Sequence, residues 1–151
     1  MDKLHDLQNL YYQLDRLSAI TGRNKLQDCN GRSAWPARGV YFFFDATEKC
    51  SDSGTSQRLV RIGTHALTQG AKSKLWTRLS QHKGQQASGG GNHRGSIFRL
   101  LVGDAMQNMQ GVSYPTWGKG NTADRIVRES ELELERKVSL YIGELQFVCL
   151  F

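Results

Sequence analysis

The sequence has no long hydrophobic run, and this absence argues against a membrane-spanning protein. Its 151 residues are 38% hydrophobic, yet no apolar stretch approaches the roughly 20 residues that a transmembrane helix needs. The N-terminus, Met-Asp-Lys-Leu-His-Asp, also lacks the basic and then apolar regions of a signal peptide. We therefore expect a cytoplasmic protein with no membrane partner, long enough to form one domain with its own core.

Cysteine is scarce and has no spacing that suggests a metal site. Cys29, Cys50 and Cys149 lie far apart in the chain, and an odd number at such separations does not predict a disulfide framework. We predict unpaired thiols in a reducing compartment. Internal repeats are absent too. The glycine-rich residues 84–94 lack the strand-then-helix setting and the Lys-Ser/Thr ending of a nucleotide-binding phosphate loop, so we predict a mobile loop there.

Positive charge is abundant and unevenly distributed. Residues 1–120 hold 16 basic and 8 acidic side chains, and residues 121–151 hold 4 basic and 6 acidic, so that +8 and −2 sum to the net charge of +6. A basic surface of this kind attracts polyanions, with an affinity that falls as salt rises. The charge is consistent with a nucleic-acid partner but does not identify one.

Hydrophobic periodicity predicts a helix followed by a strand hairpin and a second helix. Apolar residues recur at spacings of three and four over residues 2–20, and Gly22 is expected to end this helix in a left-handed conformation. Residues 40–45 and 59–64 are rich in β-branched and aromatic side chains, which is typical of strands, and we expect them to pair antiparallel. Residues 73–83 follow as a helix, in which Leu75, Arg78, Leu79 and His82 share one side.

The second half of the chain predicts helices and one more strand. Residues 96–106 are short and apolar, and a helix is favoured over a strand. A long helix is predicted to start at a cap on Asn121 or Thr122 and to run to about Gly143. Residues 146–151 read as a buried strand.

Five polar side chains remain in residues 38–82 once the apolar positions are assigned to a core. They are a hydroxyl, two guanidiniums and two imidazoles, which together suit a phosphate better than an apolar ligand: Tyr41, Arg61, His65, Arg78 and His82.

These residues lie in a pattern that resembles the GIY-YIG nuclease family. Gly39-Val40-Tyr41, Arg61-Ile62-Gly63 and Arg78-x-x-x-His82 are similar to the family's two strand motifs and its helix with an essential arginine. The resemblance implies an α+β fold, with a small mixed or antiparallel three-stranded sheet flanked by helices. We expect a single domain over residues 1–151, with an extra N-terminal helix in residues 1–22 and the core in residues 38–151.

The resemblance also implies hydrolysis of a DNA phosphodiester bond with one divalent ion, Mg²⁺ or Mn²⁺. Tyr41 would help to activate the attacking water, Arg78 would steady charge on the scissile phosphate, and His82 would assist proton transfer or hold the phosphate. Arg61 stands where the family has its second tyrosine. An arginine cannot act as a base, but it can bind phosphate.

The position of the metal ligand depends on which segment forms the third strand, because the family places its glutamate on a helix after that strand. If residues 146–151 are the third strand, which we favour, that helix would follow residue 151. If residues 97–102 are the strand instead, the helix over residues 123–143 would carry the metal, with Glu135 as ligand and Glu131 one turn earlier.

Further basic residues are candidates for contacts with nucleic acid: Arg38, His65, Lys74, His93 and Arg94. The leading hypothesis is a metal-dependent DNA endonuclease, or a shortened and inactive member of the same family. The alternatives are a non-catalytic nucleic-acid-binding module with a basic face, for DNA or RNA, and a structural domain whose leading helix makes a dimer contact.

Overall fold

The computed structural model describes residues 2–49, 57–66, 70, 73–85 and 88–151. Contacts divide the chain into two compact units. We call Met1–Leu75 with Leu145–Phe151 the sheet unit, and Trp76–Glu144 the helical unit. Within the described ranges, no helix is long and apolar enough to cross a membrane. That the whole chain forms a single domain stays a prediction.

The sheet unit contains one helix and an antiparallel sheet, so the α+β class is confirmed. Its elements are α1 (Lys3–Thr21), β1 (Asn24–Lys25), a 3-10 turn (Leu26–Asp28), β2 (Gly39–Lys49), β3 (Gln57–His65) and β4 (Gln146–Leu150). The strand order is β1-β4-β2-β3, and each neighbouring pair is antiparallel. The predicted sheet had three strands, whereas the described sheet has four. The added strand, β1, is two residues long, too short to show any periodicity.

Helix α1 packs on one face of this sheet, so the residues that alternate with those it covers lie on the opposite face. Leu14 forms a core cluster with Phe44 and Val148, and the Tyr11 hydroxyl accepts a hydrogen bond of 2.9 Å from the Leu59 amide. Only the middle of the predicted apolar stripe is buried, because Leu4 and Ile20 at its two ends are 49% and 81% exposed.

The ends of α1 follow its capping residues. The Asp2 carboxylate accepts hydrogen bonds from the Leu4 and His5 amides at 3.1 and 3.4 Å, which satisfies donors that the first turn leaves open. Gly22 ends the helix with φ +73° and ψ 162°. The predicted left-handed cap is therefore wrong in ψ, since the chain leaves in an extended direction toward β1.

Three helices are described in the helical unit. They are α2 (Leu75–Lys83, whose first residue counts with the sheet unit), α3 (Ile97–Gln110) and α4 (Arg125–Glu144), with a 3-10 turn at His93–Gly95. The helix predicted over residues 96–106 is confirmed, so the alternative strand over 97–102 is wrong, and the strand predicted over 146–151 is confirmed as β4. Helix α4 starts later than predicted because Asp124, rather than Asn121 or Thr122, caps it and accepts from the Val127 amide at 2.9 Å.

Two connecting segments fall partly outside the described residues. Strand β2 extends to Lys49, past the predicted end at Asp45, and residues 50–56, with Cys50, are not described. In the predicted mobile loop, residues 86 and 87 are not described, and the amides of Gln85 and Gly90 each donate to the other's carbonyl oxygen at 2.7 and 3.0 Å. Mobility there stays a prediction. Cys29 and Cys149 are thiols rather than halves of a disulfide, as predicted.

Candidate functional site

The β2–β3 hairpin puts three of the candidate residues on one face of the sheet. Its register pairs Tyr41 with Gly63, Phe43 with Arg61 and Gly39 with His65. Directly paired residues in an antiparallel sheet point to the same side. Tyr41, Arg61 and His65 therefore share the face opposite α1.

Tyr41 lies across a glycine that cannot be replaced without a collision. A Cβ built on Gly63 would lie 2.1 Å from Cζ and 2.3 Å from the hydroxyl oxygen of Tyr41. The ring also meets Phe43 edge to face, with centroids 5.7 Å apart, and the side chain is only 1% exposed. The two strand motifs thus have a physical basis, because the tyrosine of the first uses the space left by the glycine of the second.

The outer part of the sheet unit holds the more exposed basic candidates. His65 Nε2 donates to the Ser73 carbonyl oxygen at 3.2 Å and lies 3.0 Å from the Ser73 hydroxyl, which ties the end of β3 to the segment before α2. Arg38 and Lys74 are exposed. Their contacts with nucleic acid stay predictions.

In the helical unit, Arg78 and His82 lie one turn apart on α2 but in different environments. The Arg78 guanidinium is partly exposed and donates to the Gln81 Oε1 at 3.1 Å and to the Gly95 carbonyl oxygen at 3.4 Å. His82 is fully buried, with Nδ1 2.7 Å from the Ser96 hydroxyl. Because Ser96 also caps α3 by accepting from the Arg99 amide at 3.3 Å, His82 links α2 to the start of α3.

A buried polar network centres on Glu135 of α4. Its Oε1 accepts from the amide and the Nδ1 of His93 at 2.7 and 3.0 Å. Its Oε2 accepts from Arg99 through Nε at 3.0 Å and also through Nη2. Burial raises the pKa of the Glu135 carboxyl. The His93 hydrogen bond and the Arg99 charge together lower it by more than burial raises it, so the pKa lies below its ordinary value of 4.5.

The contacts of His93 fix its tautomer. The Gly118 amide donates to Nε2 at 3.1 Å, so Nε2 must hold a lone pair and Nδ1 must carry the proton that it donates to Glu135. The ring stacks on Trp117 with centroids 3.8 Å apart. His93 is therefore a buried link between α4 and the turn around Gly118.

Arg94 and Glu131 form a second buried pair. Nη1 and Nη2 of the guanidinium donate to the two carboxylate oxygens at 2.7 and 2.9 Å, and the side chains are 5% and 2% exposed. Burial raises the pKa of Glu131, but hydrogen bonds from Arg94 and Thr116 and the Arg94 charge lower it below its ordinary value of 4.5. Arg94 also donates to the carbonyl oxygens of Lys119 and Thr116 at 3.2 and 3.3 Å.

The donor set at Glu135 does not fit a divalent cation. Each carboxylate oxygen already accepts two hydrogen bonds, and the adjacent guanidinium of Arg99 both neutralises the carboxylate and repels a second positive charge. Over the part of the chain that the structure describes, no three His, Cys, Asp or Glu side chains form a group able to hold a metal ion. The metal role predicted for Glu135 is therefore not supported by its surroundings.

The remaining predicted roles stay predictions. Tyr41, Arg61 and His65 share a sheet face, and Arg78 is partly exposed on α2. Tyr41 is as buried as His82 and His93. The contacts above hold His82, His93 and Arg94 within the helical unit.

Arg99 was not among the predicted functional residues, although it is fully buried and central to the network. One signal for it existed, since it is a single charge within the apolar residues 97–102. A second signal lay in α4, where Glu131 and Glu135 fall at helical spacing with the buried Leu134 and Val138. Charges on a buried stripe require a buried partner.

Comparison with known proteins identifies a family. A family model described as GIY-YIG domain matches residues 1–151. No curated protein and no solved structure matches the chain significantly.

Proposed function

This chain belongs to the GIY-YIG domain family, and we propose that it is an endonuclease that hydrolyses phosphodiester bonds of DNA. The family implies a nuclease-type function with a nucleic-acid substrate. The choice of DNA, the position of the cut and the residues that act on it are parts of the proposal.

The observation that best supports this function is the pairing of Tyr41 with Gly63 across the hairpin. The ring is held on the bare backbone of the glycine and against Phe43, so the hydroxyl has a defined position. Oriented groups on rigid elements are what phosphodiester hydrolysis requires, because most of the catalytic effect comes from positioning and from stabilising charge.

In the proposed mechanism, the Tyr41 hydroxyl orients and helps to activate the attacking water. Arg61, on the same sheet face, binds the substrate phosphate, and Arg78 steadies the negative charge that builds on the scissile phosphate. His82 acts as a positioning residue through Ser96, since it is buried at the link between α2 and α3. Glu135 takes no part in this mechanism, because its carboxylate is already engaged by His93 and Arg99.

The test is nicking of supercoiled plasmid by the purified chain in Mg²⁺, in Mn²⁺ and in chelator. We expect nicking by the parent chain and a fall of about 10²–10³-fold in Tyr41→Phe and in Arg78→Ala, the range seen when one group that stabilises the transition state is removed. Tyr12→Phe and Arg32→Ala are matched controls, because both residues are exposed, and they should nick at the parent rate.

A folded chain that never nicks DNA under these conditions would overturn the proposal. The charge of +8 over residues 1–120 favours one alternative in that case, a non-catalytic nucleic-acid-binding module. Such a module would bind DNA or RNA with a steep salt dependence and without cleavage.

A further inference from the structure

A groove of about 650 Å³ lies in the helical unit beside α2. Four of its described lining residues are glycines, and the others are the neutral polar Ser80, Gln81, Gln85 and Asn92. Its size falls within the range of small-molecule pockets, which is about 300–1,000 Å³. Because none of the lining residues described is charged, the groove suits a neutral polar ligand better than a phosphate.

Packing on a buried arginine explains two of the four glycines of this groove. A Cβ at Gly91 would lie 1.8 Å from Nη2 of Arg99, and a Cβ at Gly84 would lie 2.8 Å from its Nη1. Arg99 is itself fixed by Glu135 and by the His82 carbonyl oxygen, to which it donates at 2.9 Å. Part of the wall is thus bare backbone held against a rigid support, which allows a flat ligand to approach closely.

The groove adjoins Arg78, the residue to which we assign the scissile phosphate. Arg78 donates to Oε1 of Gln81 and to the carbonyl oxygen of Gly95, and both residues line the groove. A ligand in the groove would therefore sit next to a phosphate held by Arg78. In a nucleic acid, each phosphate is bonded to a sugar, and the neutral polar group that this sugar carries is a nucleobase.

We propose that this groove is a subsite for a nucleobase that flanks the scissile phosphate, and that it favours adenine. Carboxamides present a donor beside an acceptor, the pattern that matches the N6 and N7 edge of adenine in a bidentate contact. Gln81, Gln85 and Asn92 supply three such groups. Their oxygens already accept from Arg78, from the Ser88 hydroxyl and from the Arg94 amide, so each offers a base its amide nitrogen and the second lone pair of its oxygen. That the bound base lies beside the cut rests on the proposed function. That the groove binds a base rests only on the residues that line it.

Two variants separate this proposal from effects on folding. Gln85→Ala removes one carboxamide and leaves the hydrogen bonds of Arg78 intact. Gln81→Ala is not used, because it would remove the hydrogen bond from Arg78 to Gln81. Gly95→Leu fills space, because a Cβ at Gly95 meets no atom within 4 Å and a side chain there costs the fold little. Gln8→Ala, at an exposed position of α1, is the matched amide control, and thermal melting verifies that each variant folds.

The first measurement is sequencing of the cut ends from a DNA library with random bases. The parent chain should favour adenine at one position beside the cut, Gln85→Ala should reduce that preference about tenfold, and Gly95→Leu should abolish it. Gln8→Ala should keep it. Cleavage without any base preference beside the cut, or a preference that neither variant changes, would overturn the subsite while leaving the nuclease proposal intact.

The second measurement does not depend on cleavage. A short labelled oligonucleotide with one adenine should bind the parent chain more tightly than the same oligonucleotide with 2-aminopurine in that place, because 2-aminopurine lacks the N6 amino group. Fluorescence anisotropy measures both affinities, and Gly95→Leu should remove the difference. Selective binding of adenine by a chain that never cuts would support the groove and overturn the nuclease function. Equal affinity of the parent chain for the two oligonucleotides would overturn the groove.

Discussion

Tyr41 lies directly across Gly63 in the hairpin, so closely that a Cβ at position 63 would come within 2.1 Å of the tyrosine ring. We expect Gly63→Ala to push the ring out of place. The change should destabilise the fold by about 1–3 kcal/mol, as overpacking of a core does, and it should abolish nicking because the hydroxyl moves. Urea denaturation and the plasmid assay measure the two effects.

The control for Gly63→Ala is Gly95→Ala, the same substitution where a Cβ meets no atom within 4 Å. Its unfolding midpoint should match that of the parent chain. If Gly63→Ala were as stable as Gly95→Ala and as active as the parent chain, the close packing of Tyr41 on Gly63 would not determine the geometry of the site.

Glu135 is predicted to stabilise the helical unit rather than to bind a metal. In Glu135→Gln, one carboxylate oxygen becomes an amide nitrogen, which cannot accept the hydrogen bonds that His93 or Arg99 donates there. The buried Arg99 also loses the negative charge that balances it. Breaking a buried ion pair in this way costs about 3–5 kcal/mol, which chemical denaturation would detect. Glu133→Gln is the control, since Glu133 is exposed and pairs with Lys137 at the surface, and its melting temperature should not change. Unchanged stability in Glu135→Gln, with loss of metal-dependent nicking, would instead make Glu135 a metal ligand.

Acid should weaken the fold through the same carboxylates. The pKa values of Glu131 and Glu135 are lowered from the ordinary 4.5 in the folded chain, so the folded state favours the ionised form more than the unfolded state does. Their stabilisation is complete above pH 4.5 and is lost as pH falls below 4.5 toward the folded values. Melting temperature measured against pH should show this loss. The curve should be shallower in the double variant Arg94→Met/Glu131→Leu, which lacks one of the pairs.

Much of the local structure could be predicted from the sequence because its causes are local. The β-branched and aromatic residues from Val40 to Phe44 and the spacing of Leu75 and Leu79 each belong to a single element. The position of β4 was also predictable, since residues 147–151 are continuously apolar. Strand β1 could not be predicted, because its two residues are too few to show a periodic pattern.

The buried network was only half predictable, because its pairs join distant parts of the chain. Helical spacing places Glu135 on the buried side of α4, but it does not reveal that the partner is Arg99, 36 residues earlier. Nothing local distinguishes His93, in a glycine-rich loop, from an exposed histidine. Its burial depends on stacking against Trp117, a contact that exists only once the chain has folded.

The salt dependence of DNA binding tests the exposed basic candidates. Arg38 and Lys74 are both exposed, so each is able to neutralise a phosphate and release counterions. Replacing either by alanine should reduce the slope of log affinity against log salt by about 1, which fluorescence anisotropy at several salt concentrations would measure. Arg125→Ala is the matched control, because Arg125 is exposed but already paired with Glu129 at 2.6 Å, and its slope should equal that of the parent chain. Equal slopes for all four proteins would mean that Arg38 and Lys74 do not contact the phosphate backbone, and that DNA binds to a different face.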